Sequence, residues 1–151
     1  MELKKGNYNI SYTSSEFDNL FGATKTKPKK IKPNFRTLEE EMTSQQILNK
    51  LKPQDITLDE LAYLLNNNIL DKNKGYICFI QITDTVLHAV YFYWLGVGWR
   101  LSANQVSIPR GWYGGDLILS SNFLDTLELE HFNPLELEFT YKGSSYKITK
   151  K

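Results

Sequence analysis

Two histidines, one cysteine and a set of four neighbouring glutamates are the side chains in this sequence best suited to chemistry. His88 and His131 lie 43 residues apart, without a His-x-x-x-His spacing or a cysteine pair, so metal ligation has no motif to build on. His88 alternates with Val86 and Val90, which predicts a place on a sheet surface or hydrogen-bonded within the sheet. Cys78 sits in the apolar run Tyr76-Ile-Cys-Phe-Ile80 and has no second cysteine to pair with, so it is expected to pack as a small hydrophobe. Glu128, Glu130, Glu136 and Glu138 alternate with leucines on either side of His131-Phe-Asn-Pro134. Carboxylates crowded in this way raise one another's pKa, as glycosidase pairs require. Alternation alone also gives a hairpin one solvated acidic face, and that is the expectation here. Gly96, Gly98, Gly111, Gly114 and Gly115 never form Gly-x-Gly-x-x-Gly or a Lys-Ser/Thr loop, so they read as turn glycines rather than a phosphate cradle. Neither an enzyme nor a cofactor or metal is expected.

Binding chemistry is better represented. The run Lys25-Thr-Lys-Pro-Lys-Lys-Ile-Lys-Pro33 gathers Lys25, Lys27, Lys29, Lys30 and Lys32, with Arg36 just beyond. Five lysines would displace counterions from DNA or RNA without reading sequence. The balance of charge sharpens this: residues 1–52 hold ten Lys/Arg against six Asp/Glu (+4), and residues 53–151 hold eight against eleven (−3). Upstream, Phe17, Leu20 and Phe21 have i, i+3, i+4 spacing, so one helical turn would gather them on a single face as a docking peptide. Glu16-Phe-Asp-Asn-Leu-Phe21 also resembles the peptide that binds bacterial sliding clamps, with Glu16 or Phe17 where that peptide opens with Gln. Tyr91, Tyr93, Trp94, Trp99, Trp112 and Tyr113 are interleaved with Arg100 and Arg110. Aromatic sheets with arginines stack single-stranded bases, although a sheet under helices also needs aromatics for its own core. Trp112 and Tyr113, in a Gly-rich loop beside Arg110, have the make-up of a contact hot spot.

The elements that must position these groups divide near residue 36. Residues 1–36 carry few large apolar side chains and are expected to form an extended basic arm, with Tyr8, Ile10 and Tyr12 as a short strand added to a sheet edge. Residues 37–151 are expected to form one α+β domain, with two helices packed on an antiparallel sheet of about six strands. Thr37-Leu-Glu-Glu40, Thr43-Ser-Gln-Gln46 and Thr57-Leu-Asp-Glu60 each have the form of a capping box. Ile56 and Leu61 add a hydrophobic staple to the last of these, and two helices are predicted between about Thr37 and Asn66. The period then changes from 3.6 to 2: strands are predicted at Tyr76–Thr83, Val86–Trp94, Trp99–Ala103 and Leu117–Ser120, with a tight turn at Asp84-Thr85 and a last hairpin around Tyr141–Tyr146. Met1-Glu-Leu-Lys-Lys-Gly6 lacks a signal-peptide pattern and no run reaches 18 apolar residues, so a cytoplasmic protein without membrane contact is expected.

Tyr91-Phe-Tyr-Trp-Leu-Gly-Val-Gly-Trp-Arg-Leu-Ser-Ala-Asn-Gln-Val106, then Gly111-Trp-Tyr-Gly-Gly115 and Ser120-Ser-Asn122, resemble a pattern in small uncharacterised bacteriophage-encoded proteins. The resemblance covers about a fifth of the chain. It implies a viral origin and a role directed at a host protein, and it carries no activity. The sequence thus predicts a non-enzymatic protein-binding factor that docks through its arm and the Trp112 loop. Nucleic-acid binding through the lysines and exposed aromatics is the alternative.

Overall fold

A computed structural model of the chain describes residues 1–83, 86–109 and 111–123, together with the backbone of two strands, Glu138–Tyr141 and Ser144–Lys147. In order the elements are β1 (Ile10–Thr13), α1 (Ser15–Phe21), β2 (Asn34–Thr37), β3 (Met42–Thr43), α2 (Ser44–Leu51) and α3 (Leu58–Asn66). They continue with β4 (Gly75–Thr83), β5 (Val86–Leu95), β6 (Gly98–Gln105), β7 (Gly111–Trp112), β8 (Leu117–Ser120), β9 (Glu138–Tyr141) and β10 (Ser144–Lys147). Six strands form the main sheet, in the order β1-β6-β5-β4-β8-β2.

The α+β class is as expected, but the sheet is mixed rather than antiparallel. The meander β4–β5–β6 is antiparallel, whereas β1 joins β6 and β8 joins β4 in parallel. A parallel neighbour cannot follow through a tight turn, so each of these pairs closes a long stretch of chain. Both faces of the sheet are covered in its middle. On one face α1, α3 and the N-terminal segment pack over Tyr76, Cys78, Val90, Phe92, Trp99 and Leu101. On the other, α2 and the β3–β7 ribbon pack over Ile77, Phe79, Ala89 and Ile118. Alternating positions of β4 and β5 therefore feed two separate cores, which explains their nearly continuous apolar sequence.

The first 36 residues are not an extended arm. Leu3, Tyr8, Ile10, Phe17, Phe21 and Ile31 are all buried in the larger core. Strand β1 is hydrogen-bonded to β6, with Ser14 N–H donating to the Leu101 carbonyl and Trp99 N–H to that of Asn9. Ser14 caps α1 by accepting from Phe17 N–H at 3.1 Å. The predicted edge strand is present, and the segment as a whole belongs to the folded body. Its composition disguised this because each short piece supplies only one or two buried side chains.

Two of the three capping boxes form. Thr43 accepts from Gln46 N–H at 3.2 Å and Gln46 returns the bond to Thr43 N–H at 2.8 Å; Thr57 and Glu60 do the same at 3.1 and 2.9 Å. Thr37 caps nothing. It pairs with Leu117 at the end of β2, because Asn34–Thr37 meets the apolar strand β8 and sheet pairing outweighs a local cap signal. Replacing Thr57 by Ala should therefore cost about 1 kcal/mol in chemical denaturation. Thr37→Ala should stay within about 0.5 kcal/mol, and a larger loss at Thr37 than at Thr57 would contradict this assignment.

Candidate functional site

The lysine run folds as an ordered strap. Thr26 anchors its start: its N–H donates to the Met1 carbonyl at 2.9 Å, its carbonyl accepts from the Met1 amine at 2.9 Å, and its hydroxyl meets Tyr8 Oη at 2.9 Å. The Thr26 hydroxyl also reaches the Met1 carbonyl. Ile31 anchors the other end in the larger core, to which α3 also contributes. Between them the first turn of α3 holds the backbone, since Lys27 N–H donates to Asp59 Oδ1 at 3.1 Å and Lys29 N–H to the Asp59 carbonyl at 3.0 Å. Asp59 thus bonds the strap's main chain rather than a lysine head. With Thr26 and Ile31 turned inward, Lys25, Lys27, Lys29, Lys30 and Lys32 all face solvent. Among the described residues none of the five makes an ion pair within 4 Å. The strap runs on into β2, where the Phe35 ring is exposed on its outer side and packs 5.8 Å from Tyr76 on its inner side.

The apolar triad is placed differently. Phe17 and Phe21 are buried with ring centroids 5.1 Å apart, and Leu20 is half-buried against the same core. Helix formation does gather the three on one face, as their spacing predicts, but α1 turns that face onto β6 and the sheet. The proposed docking peptide, including the clamp-like hexapeptide, is spent on the protein's own packing. Trp112 is also internal: Nε1 donates to Ser44 Oγ at 2.8 Å and its ring stacks on Tyr91 at 5.4 Å. A buried indole needs such a partner for its N–H. Tyr113, the next residue, is 69% exposed. Arg110 lies outside the described residues, as do His131, Glu128, Glu130 and Glu136.

Cys78 is fully buried, and desolvation pushes its thiol well above the ordinary range, as a packing role requires. His88 departs from expectation. It is buried on the α1 side of the sheet, and among the described residues its Nδ1 has no hydrogen-bond partner. Desolvation lowers its pKa, with Glu16 acting the other way. Among the described residues no three His, Cys, Asp or Glu side chains are grouped to hold a metal ion, and no helix is long and apolar enough to cross a membrane.

One arrangement had only compositional warning in the sequence. Strand register sets Tyr12, Arg100 and Tyr93 side by side on β1, β6 and β5, on the face opposite the strap. The interleaving of Arg with Tyr was visible, but which aromatics share the arginine's face depends on pairing between β1 and β6. Comparison with protein-family models, with curated proteins and with solved structures found no match for this chain.

Proposed function

We propose that this is a non-enzymatic cytoplasmic protein that binds nucleic acid along its phosphate backbone, through the strap of Lys25, Lys27, Lys29, Lys30 and Lys32. The observation that carries this reading is the strap itself: five exposed ammonium groups on a backbone already fixed at Thr26, Asp59 and Ile31. Fixing the backbone beforehand lowers the ordering entropy that a flexible arm would lose on binding. Lysine heads act as point charges, so the contact is indifferent to sequence. Phe35, exposed where the strap enters β2, gives an unpaired base a ring to stack on and favours single strands.

Fluorescence anisotropy with labelled single-stranded and duplex oligonucleotides tests the reading. Five phosphate contacts on a single strand give a log–log salt slope near −3.5, or roughly a hundredfold weaker binding between 50 and 200 mM salt. A variant with all five lysines changed to Gln should keep its thermal midpoint and lose most of that slope. Binding that is insensitive to salt, or equal for parent and variant, would refute the assignment.

A second reading, docking to another protein, now rests on Tyr113. Its exposed ring stands beside Trp112, which the Ser44 bond and Tyr91 stacking hold in place, and a rigid exposed aromatic is a common interface anchor. If that contact drives binding, Tyr113→Ala weakens partner capture by more than about 1 kcal/mol while the five-lysine variant leaves it intact.

A further inference from the structure

A cleft of about 460 Å³ opens where the strap begins, at the opposite end from Phe35. Phe21, Ile56 and Ile80, all buried, form its floor, and half-buried Leu20 and Leu58 line it above them. Lys25 and Asp55 border the cleft and are both exposed. Asp59 borders it too, but Asp59 Oδ1 already accepts from Lys27 N–H at 3.1 Å and so serves the strap. The Asp55 carboxylate makes no hydrogen bond or ion pair among the described residues. Cavities of about 300–1,000 Å³ with apolar walls and a few polar groups are the usual form of a small-ligand site.

We infer that this cleft takes one unpaired base from a strand lying on the strap, and that Asp55 selects guanine there. The inference rests on the strap reading and adds a base contact to it. Lys25 belongs to both the strap and the cleft, so a phosphate held on Lys25 leaves its base at the cleft mouth. The two carboxylates repel phosphate, which keeps the strand's backbone outside and admits only the neutral base. A base has apolar faces, suited to the aliphatic lining, and a polar edge that can be read. A carboxylate only accepts, through two oxygens side by side. Guanine alone presents two adjacent donors, N1–H and the 2-amino group. Adenine and cytosine each set one amino group beside an acceptor, and thymine flanks its single N–H with carbonyls. Phosphate contacts position the strand, and this one contact would specify it.

The test is competition anisotropy on the full chain, with short all-thymine strands and the same strands carrying one central guanine, adenine, cytosine or hypoxanthine. The guanine strand should bind about tenfold more tightly than the all-thymine, adenine or cytosine strand, a difference of about 1.4 kcal/mol. Hypoxanthine, which lacks the 2-amino group, should lose most of that gain. Asp55→Ala, at an exposed position, should bring the guanine strand down to the all-thymine strand and leave the salt slope of both unchanged. If all strands bind alike with a steep salt slope, the strap stands and the cleft assignment falls. If no strand binds, or binding ignores salt, both fall. A guanine preference that survives in Asp55→Ala, or a hypoxanthine strand that matches the guanine strand, overturns the selection by Asp55.

Discussion

A chain lacking residues 1–33 should lose cooperative unfolding altogether. Six core side chains go with that segment, namely Leu3, Tyr8, Ile10, Phe17, Phe21 and Ile31. At about 1.5–3 kcal/mol for each fully buried large apolar side chain, their removal forfeits roughly 9–18 kcal/mol. That matches or exceeds the whole net stability of an ordinary domain, about 5–15 kcal/mol. The deletion also strips the β1 partner from β6 and uncovers Trp99 and Leu101. Circular dichroism of residues 34–151 should show a broad, non-cooperative thermal profile. A sharp transition within about 5 °C of the parent would mean that the segment is separable after all.

Phe17→Ala should be among the most damaging single substitutions, at about 3–5 kcal/mol, because a fully buried ring leaves a cavity beneath α1. Phe21→Ala should follow closely, since the two rings lie in contact. Leu20, on the same helix but half-buried, should cost nearer 1 kcal/mol. Urea denaturation of the three variants gives the ranking. A docking peptide predicts the reverse pattern, with stability unchanged and partner capture lost. Loss of less than about 1 kcal/mol at Phe17 would return α1 to the surface and revive that role.

Much of the β-sheet could be read in advance because its signals are local. The alternation in β4, β5 and β6, the Gly96-Val97-Gly98 turn and the staple at Ile56 and Leu61 each report on neighbouring residues. Thr37 shows where local reading fails: a sound cap pattern was overruled by a strand some eighty residues further on. The N-terminal segment shows it more fully. It changes from turn to strand to helix to strap within 33 residues, and Tyr8 and Asn9 take left-handed backbone angles that interrupt any period. The lysines of the candidate site were evident as charge. What made them a surface, the anchors at Thr26 and Ile31, looked like ordinary linker residues. Arg100 was visible among tyrosines, but the face it shares with Tyr12 is set by a parallel pairing that no stretch of contiguous sequence encodes.

The two edges of the main sheet, β1 and β2, both come from residues 10–37, and each pairs with a strand some 80 to 90 residues later. Ile10 meets Trp99 about 90 residues later, which at ribosomal speeds of about 5–20 residues per second is a wait of roughly 5–18 s. During that interval the central meander has not been made, and Phe17 and Phe21 have nothing to pack on. Pairings this distant also raise contact order and place refolding toward the slow end for domains of this size. The apolar side chains of β1 and α1 are therefore covered only after a strand some ninety residues further along has been made.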